Sequence, residues 1–253
     1  ALSWKQKFLL LIVATLIGLA IATLASLSGL GRVSDADEAQ SEARAYESAS
    51  LTLLNDWLGL ERMSESLEPS QVETYQERLA SLATQSSALN ESAQTLPGDA
   101  VKTTAQQIHK QVAEYTRLRT QWLALSQQLG LTPSDGLRAT MSNAIDERLR
   151  QISISIFNDD INTIASTYRD YLATFDATYA QTTREALERM QATVTEMDWQ
   201  EIDIGKAVQA FDDAFSDAET LIADLSAIEN QLAGAGTQIR DLISEQNPLA
   251  RRE

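Results

Sequence analysis

The sequence predicts an all-α protein with a membrane-spanning helix at its N-terminus. Three observations carry that reading. Phe8 to Leu30 contains no charged residue. After it, apolar residues recur at steps of three and four, the period of one helix face. No stretch of strand length alternates apolar and polar residues between turn signals, as a half-buried strand would.

The elements follow in order. Residues 1–7 form a short basic N-terminus. Residues 8–30 are long enough to span, since a bilayer core needs about 20 apolar helical residues. Ala20 to Ala25 offers small residues where a signal peptidase could cut, but a signal core is only about 7–15 residues long, so an uncleaved anchor is the expectation. Lys5 and Lys7 precede the span, while Arg32 is followed by Asp35, Asp37 and Glu38. The basic flank then stays in the cytoplasm and residues 31–253 lie outside it. The first helix of that region is expected from Ser34 to Leu67, with Ala36, Ala43, Trp57, Leu60 and Leu67 on its face. Pro69 suits the first turn of a second helix reaching Thr95. Asp99 or a neighbour caps a third, with Val101, Ile108, Val112, Tyr115, Leu118, Trp122, Leu125 and Leu129. Beyond the Gly130 to Gly136 turn, a fourth runs from Leu137 to about Thr174. A fifth follows around Phe175 with Tyr179, Leu187, Met190 and Val194, and a loop near Trp199 leads into the last helix.

That last helix has the clearest pattern: Ile204, Val208, Phe211, Phe215, Ala218, Ile222, Leu225, Glu229, Leu232, Gly236, Ile239 and Ile243. From Ile202 to Asn247 it would be roughly 69 Å long, more than one compact four-helix bundle requires. Six helices make two stacked four-helix bundles only if two are shared. The last helix is one, and the fourth, at roughly 57 Å, is the expected second.

Composition excludes several roles. The 253 residues carry a formal charge of −16, which repels nucleic acid and anionic lipid alike. There is no Cys and one His, His109, so no disulfide framework, thiolate metal site or multi-histidine centre is expected, and no cofactor. Acid pairs such as Asp159-Asp160 and Asp212-Asp213 are adjacent on a helix and do not face each other. With no Gly-rich loop after a strand and no nucleophile set to build around His109, the chain does not read as an enzyme.

Leu129-Gly130 followed by Gly136-Leu137-Arg138, then Tyr168-Arg169-Asp170-Tyr171-Leu172, Asp176 and Tyr179, resembles the helical bimodular sensor domain of bacterial methyl-accepting chemotaxis receptors and some sensor kinases. Arg169 stands where that family has Lys, and Tyr168 where it has Glu. The resemblance implies two stacked bundles, a homodimer, small organic acids as ligands, and an inner-membrane protein whose sensor domain faces the periplasm. It also implies a second membrane helix and a cytoplasmic signalling region after Glu253, so a trimmed receptor fragment is the expectation.

Arginine is the candidate ligand-binding type, because its planar fork grips a carboxylate with two hydrogen bonds. Arg119 sits beside the Tyr115 and Trp122 face, and Arg148 falls in the Met141, Ile145, Ile152 register. Both are expected to point partly inward, with pairing to Asp or Glu between helices as the plainer alternative. Gly234-Ala235-Gly236 removes side-chain volume from the last helix at roughly 1 kcal/mol per glycine, which suits either a cavity or a close approach of two helices at a dimer interface. If it is a cavity, Arg240 lines it beside Arg44, both near the membrane. Arg119 and His109 are then the candidates in the other module. Tyr46, Arg62 and Arg117 are weaker choices. The function expected is an extracytoplasmic sensor that binds a small anionic metabolite and transmits a helix displacement. The rival is a membrane-tethered coiled-coil adaptor that binds only protein.

Overall fold

The structure, a computed structural model, describes residues 33–96, 98–151 and 155–245, with side chains from 41 to 237 except 43, 97, 152–154 and 236. The expected membrane helix, 8–30, lies outside the described residues. Among those described, no helix is long and apolar enough to cross a membrane, and every regular element is helical.

Seven α-helices follow one another: α1 (Val33–Ser64), α2 (Val72–Thr95), α3 (Asp99–Leu129), α4 (Gly136–Ser142), α5 (Asn158–Thr174), α6 (Ala177–Glu196) and α7 (Asp203–Glu245). Pro69 opens a short 3-10 turn, Pro69–Gln71, which leads into α2. The Gln71 side chain there accepts from the Glu68 backbone N–H at 3.1 Å, so an orphan donor at the helix start is satisfied. Gly130 ends α3 with φ +108°, a region that glycine enters without steric penalty.

The expected fourth helix is not continuous. After α4, residues Asn143–Leu149 form a π-helix, and Ser155–Phe157 form a 3-10 turn before α5. The Arg150 N–H reaches back five residues to the Ile145 carbonyl at 3.0 Å. The wider ring slows the rotation per residue, so the α-register read from Met141 onward drifts. The fifth helix does follow around Phe175. That residue ends α5 in the left-handed region at φ 57°, and Asp176 caps α6 by accepting from the Thr178 N–H at 2.8 Å.

The described chain divides into two compact units. One holds the residues up to Gln121 together with those from Glu229, and the other is Trp122–Ile228. The helices contributing to both are α3 and α7, so the second shared helix is the third and not the fourth as expected.

In the first unit, α1 and α2 are antiparallel neighbours, with Gln85 donating to Asp56 at 2.6 Å. Leu58, Leu60, Tyr75, Leu79, Leu82, Leu89 and Leu118 form the core. Trp57 meets Tyr115, and Glu61 meets Arg119; these equal steps make α1 and α3 parallel. In the second unit, Arg189 pairs with Asp160 at 2.8 Å and Thr183 with Thr167 at 2.7 Å, so α5 and α6 are antiparallel. Arg184 donates to Asp212 and Glu219 and Gln191 to Asp212, so α6 and α7 are antiparallel as well. At its centre Phe211 and Phe215 stack 5.8 Å apart, with Tyr168 edge-on to Phe211 and Tyr171 edge-on to Phe215. On α7, Ile204, Val208, Phe211, Phe215, Ala218, Ile222 and Leu225 are all buried, the stripe read from the sequence.

Candidate ligand-binding site

The first unit buries a polar cluster where a helical core would otherwise carry leucine. Arg119, on the inward face of α3, has a side chain only 9% exposed, whereas that of its partner Glu61 on α1 is 35% exposed. The guanidinium donates through Nη2 to Glu61 and through Nε to the Tyr115 hydroxyl at 3.2 Å. Tyr115 donates in turn to Glu61 Oε1 at 2.6 Å, and the Arg119 guanidinium lies 5.5 Å from the Tyr115 ring centre. Trp57, one turn before Glu61, packs edge-on against Tyr115 at 6.0 Å, and its buried Nε1 has no acceptor among the described residues.

The electrostatics fit a donor-rich site around one carboxylate. Burial is the largest influence on Arg119 and would lower its pKa, but Tyr115 and Glu61 outweigh it and leave the net shift upward. Burial pushes Tyr75 up to about 12, with Arg119 opposing and Glu61 adding. Tyr115 is raised by burial first and by Glu61 second, against Arg119. Both phenols therefore stay neutral donors at neutral pH. A raised folded pKa favours the protonated, folded state, so this stability is fully present below Tyr75's ordinary value of 10 and is lost as pH rises toward 12.

The other candidates are dispersed. His109, half-buried on α3, shares a 3.1 Å hydrogen bond with Ser86 through Nδ1. Arg44 is exposed on α1. Arg240 and Gly236 belong to α7, but their side-chain surroundings lie outside the described residues, so the expected clamp of Arg44 and Arg240 is not placed. Its neighbour Gly234 faces open space. Arg119 and His109 belong to the same unit as Arg44 and Arg240, not to a separate module as expected. Arg148, expected inward, is exposed: the π-helix keeps Ile145 and Leu149 in the core, as expected, but turns Arg148 away from it. Arg117 pairs with Glu114 on the surface at 2.6 Å.

Sequence reading missed two residues, one in each unit. Glu61 lies four residues after Trp57 and one after Leu60, both placed on the inward face, and that spacing was the available signal. Arg138 is the other. Half-buried on α4, it donates through Nη2 to the Leu172 carbonyl at 2.9 Å near the end of α5, where the helix dipole favours a cation. Its buried Nε has no acceptor among the described residues, and burial lowers its pKa.

No group of three His, Cys, Asp or Glu among the described residues is placed to hold a metal. No protein-family model, curated protein or solved structure matches this chain.

Proposed function

We propose that the chain is the extracytoplasmic sensor region of a bacterial chemoreceptor, or of a sensor kinase with the same input, tethered to the inner membrane by residues 8–30. It binds a small anionic metabolite, a carboxylate, and works as a homodimer in the periplasm, with no nucleic-acid partner and no chemistry of its own. The first unit is a four-helix bundle of α1, α2, α3 and α7, and the second gathers α4, α5 and α6 with the remaining parts of α3 and α7. The observation that carries the reading is α7: 43 residues without interruption, contributing to both units. At 1.5 Å per residue it is about 65 Å long. A ligand that prefers one packing of the helices shifts the population toward it, and axial displacements of about 1–2 Å are the usual scale of such signals.

A thermal-shift screen of organic acids and amino acids on residues 31–253 tests this, because a ligand bound only by the folded state raises the melting temperature by mass action. The expected hit is a small carboxylate, and sedimentation should show a weak dimer strengthened by it. The adaptor reading expects neither, so a flat screen together with a strict monomer sinks the sensor.

The clamp is assigned to Arg44 and Arg240, since Arg119 already serves Glu61. A charged hydrogen bond is worth about 1.5–3 kcal/mol, so Arg44→Ala or Arg240→Ala should weaken the hit roughly 10- to 100-fold in calorimetric titration. Unchanged affinity in both removes them from the site.

A further inference from the structure

We propose that the end of the second unit formed by the α6–α7 loop is a docking surface for a protein partner that presents an apolar residue among basic ones. Among the described residues three large hydrophobic side chains are exposed: Ile156 at 56%, Met197 at 45% and Ile202 at 48%. All three lie at this end. Met197 and Ile202 flank the loop between α6 and α7. Ile156 precedes Phe157, whose ring meets Trp199 of the loop edge-on at 6.3 Å. A protein exposes single apolar residues routinely, but gathering them at one place marks an interaction site.

The loop is built to hold this arrangement. The Met197, Asp198 and Trp199 N–H groups donate to Thr193, Thr195 and Val194 carbonyls at 3.0, 3.2 and 2.9 Å, and Ile202 N–H donates to the Trp199 carbonyl at 3.3 Å. Asp198 adopts φ 56°, a left-handed conformation that Asp tolerates better than most residues. A Cβ on Gly205 would run into the Trp199 carbonyl oxygen, so only glycine lets α7 start this close. Met197 and Ile202 thus sit exposed on a turn fixed by these four backbone hydrogen bonds.

Charge selects the occupant. Residues 196–203 read Glu-Met-Asp-Trp-Gln-Glu-Ile-Asp, four acids and no base, and Asp159 is a fifth exposed acid beside Ile156, against an exposed cation, Lys206, a turn into α7. A second copy would bring the same ring of acids, and facing like charges are costly. Anionic lipid is repelled for the same reason. A basic, apolar protein surface is complementary to both features. Three side chains are far short of the roughly 800 Å² per partner of a stable complex, so the contact is weak and exchanging.

The test uses the full chain in zwitterionic nanodiscs, with a labelled amphipathic Leu/Lys helical peptide as probe, its Leu/Glu counterpart as control, and fluorescence anisotropy as readout. The Leu/Lys peptide should bind and the Leu/Glu peptide should not. Ile156→Ser, Met197→Ser and Ile202→Ser combined keep the charge and, being exposed, leave the melting curve unchanged, yet should weaken binding by about tenfold or more. Glu196→Gln, Asp198→Asn and Glu201→Gln combined should weaken it too and flatten its salt dependence. If the serine variant binds the peptide as tightly as the parent, the attraction is only that of an acidic chain for a cation, and the proposal falls. It falls equally if the serine variant abolishes self-association of the chain, because the occupant is then a second copy.

Discussion

Glu61→Ala is expected to lower the stability of the first unit by about 3–5 kcal/mol, the usual cost of stripping one partner from a buried ion pair. Arg119→Leu should cost less, about 1–3 kcal/mol. The asymmetry comes from exposure. Loss of Glu61 leaves a guanidinium that is 9% exposed without its carboxylate, whereas loss of Arg119 leaves a carboxylate that is 35% exposed and can turn to water. The double variant Glu61→Leu with Arg119→Leu should be milder than Glu61→Ala alone, since apolar side chains of similar volume often replace a buried pair at little cost. Urea melts followed by circular dichroism measure all three. Equal costs for the two single variants would show that burial does not govern the pair.

In the second unit the largest effect is expected from Phe211→Ala, again about 3–5 kcal/mol. Phe211 is fully buried, with the face of Phe215 on one side and the edge of Tyr168 on another. Truncation removes both ring contacts and leaves a void that α5 and α7, still held by the Tyr171–Phe215 pair, cannot close. Hydrogen exchange should show lost protection on α5, α6 and α7 between Trp122 and Ile228, while α1 and α2 keep theirs. Uniform loss across both units would mean that they unfold as one, contrary to the division at Gln121.

Both helix punctuation and the α7 stripe were legible because they rest on local chemistry: Pro69 at a first turn, Gly130 after Leu129, and Asp99 at a start. The break between Ser142 and Asn158 was not, since no proline or glycine marks it and a π-helix has no composition of its own. The same blind spot misplaced Arg148, whose inward reading assumed an unbroken α-period. The end of α5 fell at Thr174 as expected, although its left-handed cap, Phe175, is not the Gly or Asn that usually signals one. At the site, Arg119 was legible from Tyr115 one turn before it. Which carboxylate meets it was not, since that depends on two helices 58 residues apart in sequence coming into parallel register.

The π-helix at 143–149 also bears on how this chain tolerates changes of length. Losing one residue from an ordinary helix turns everything beyond it by about 100° and points its core residues at solvent. Here the five-residue rings already contain the extra residue. Deleting the exposed Arg148 would tighten them to the common four-residue form while leaving Met141 and Leu149 inward. An insertion at this point is therefore already absorbed, and homologues one residue shorter between Ser142 and Arg150 would fit the same core.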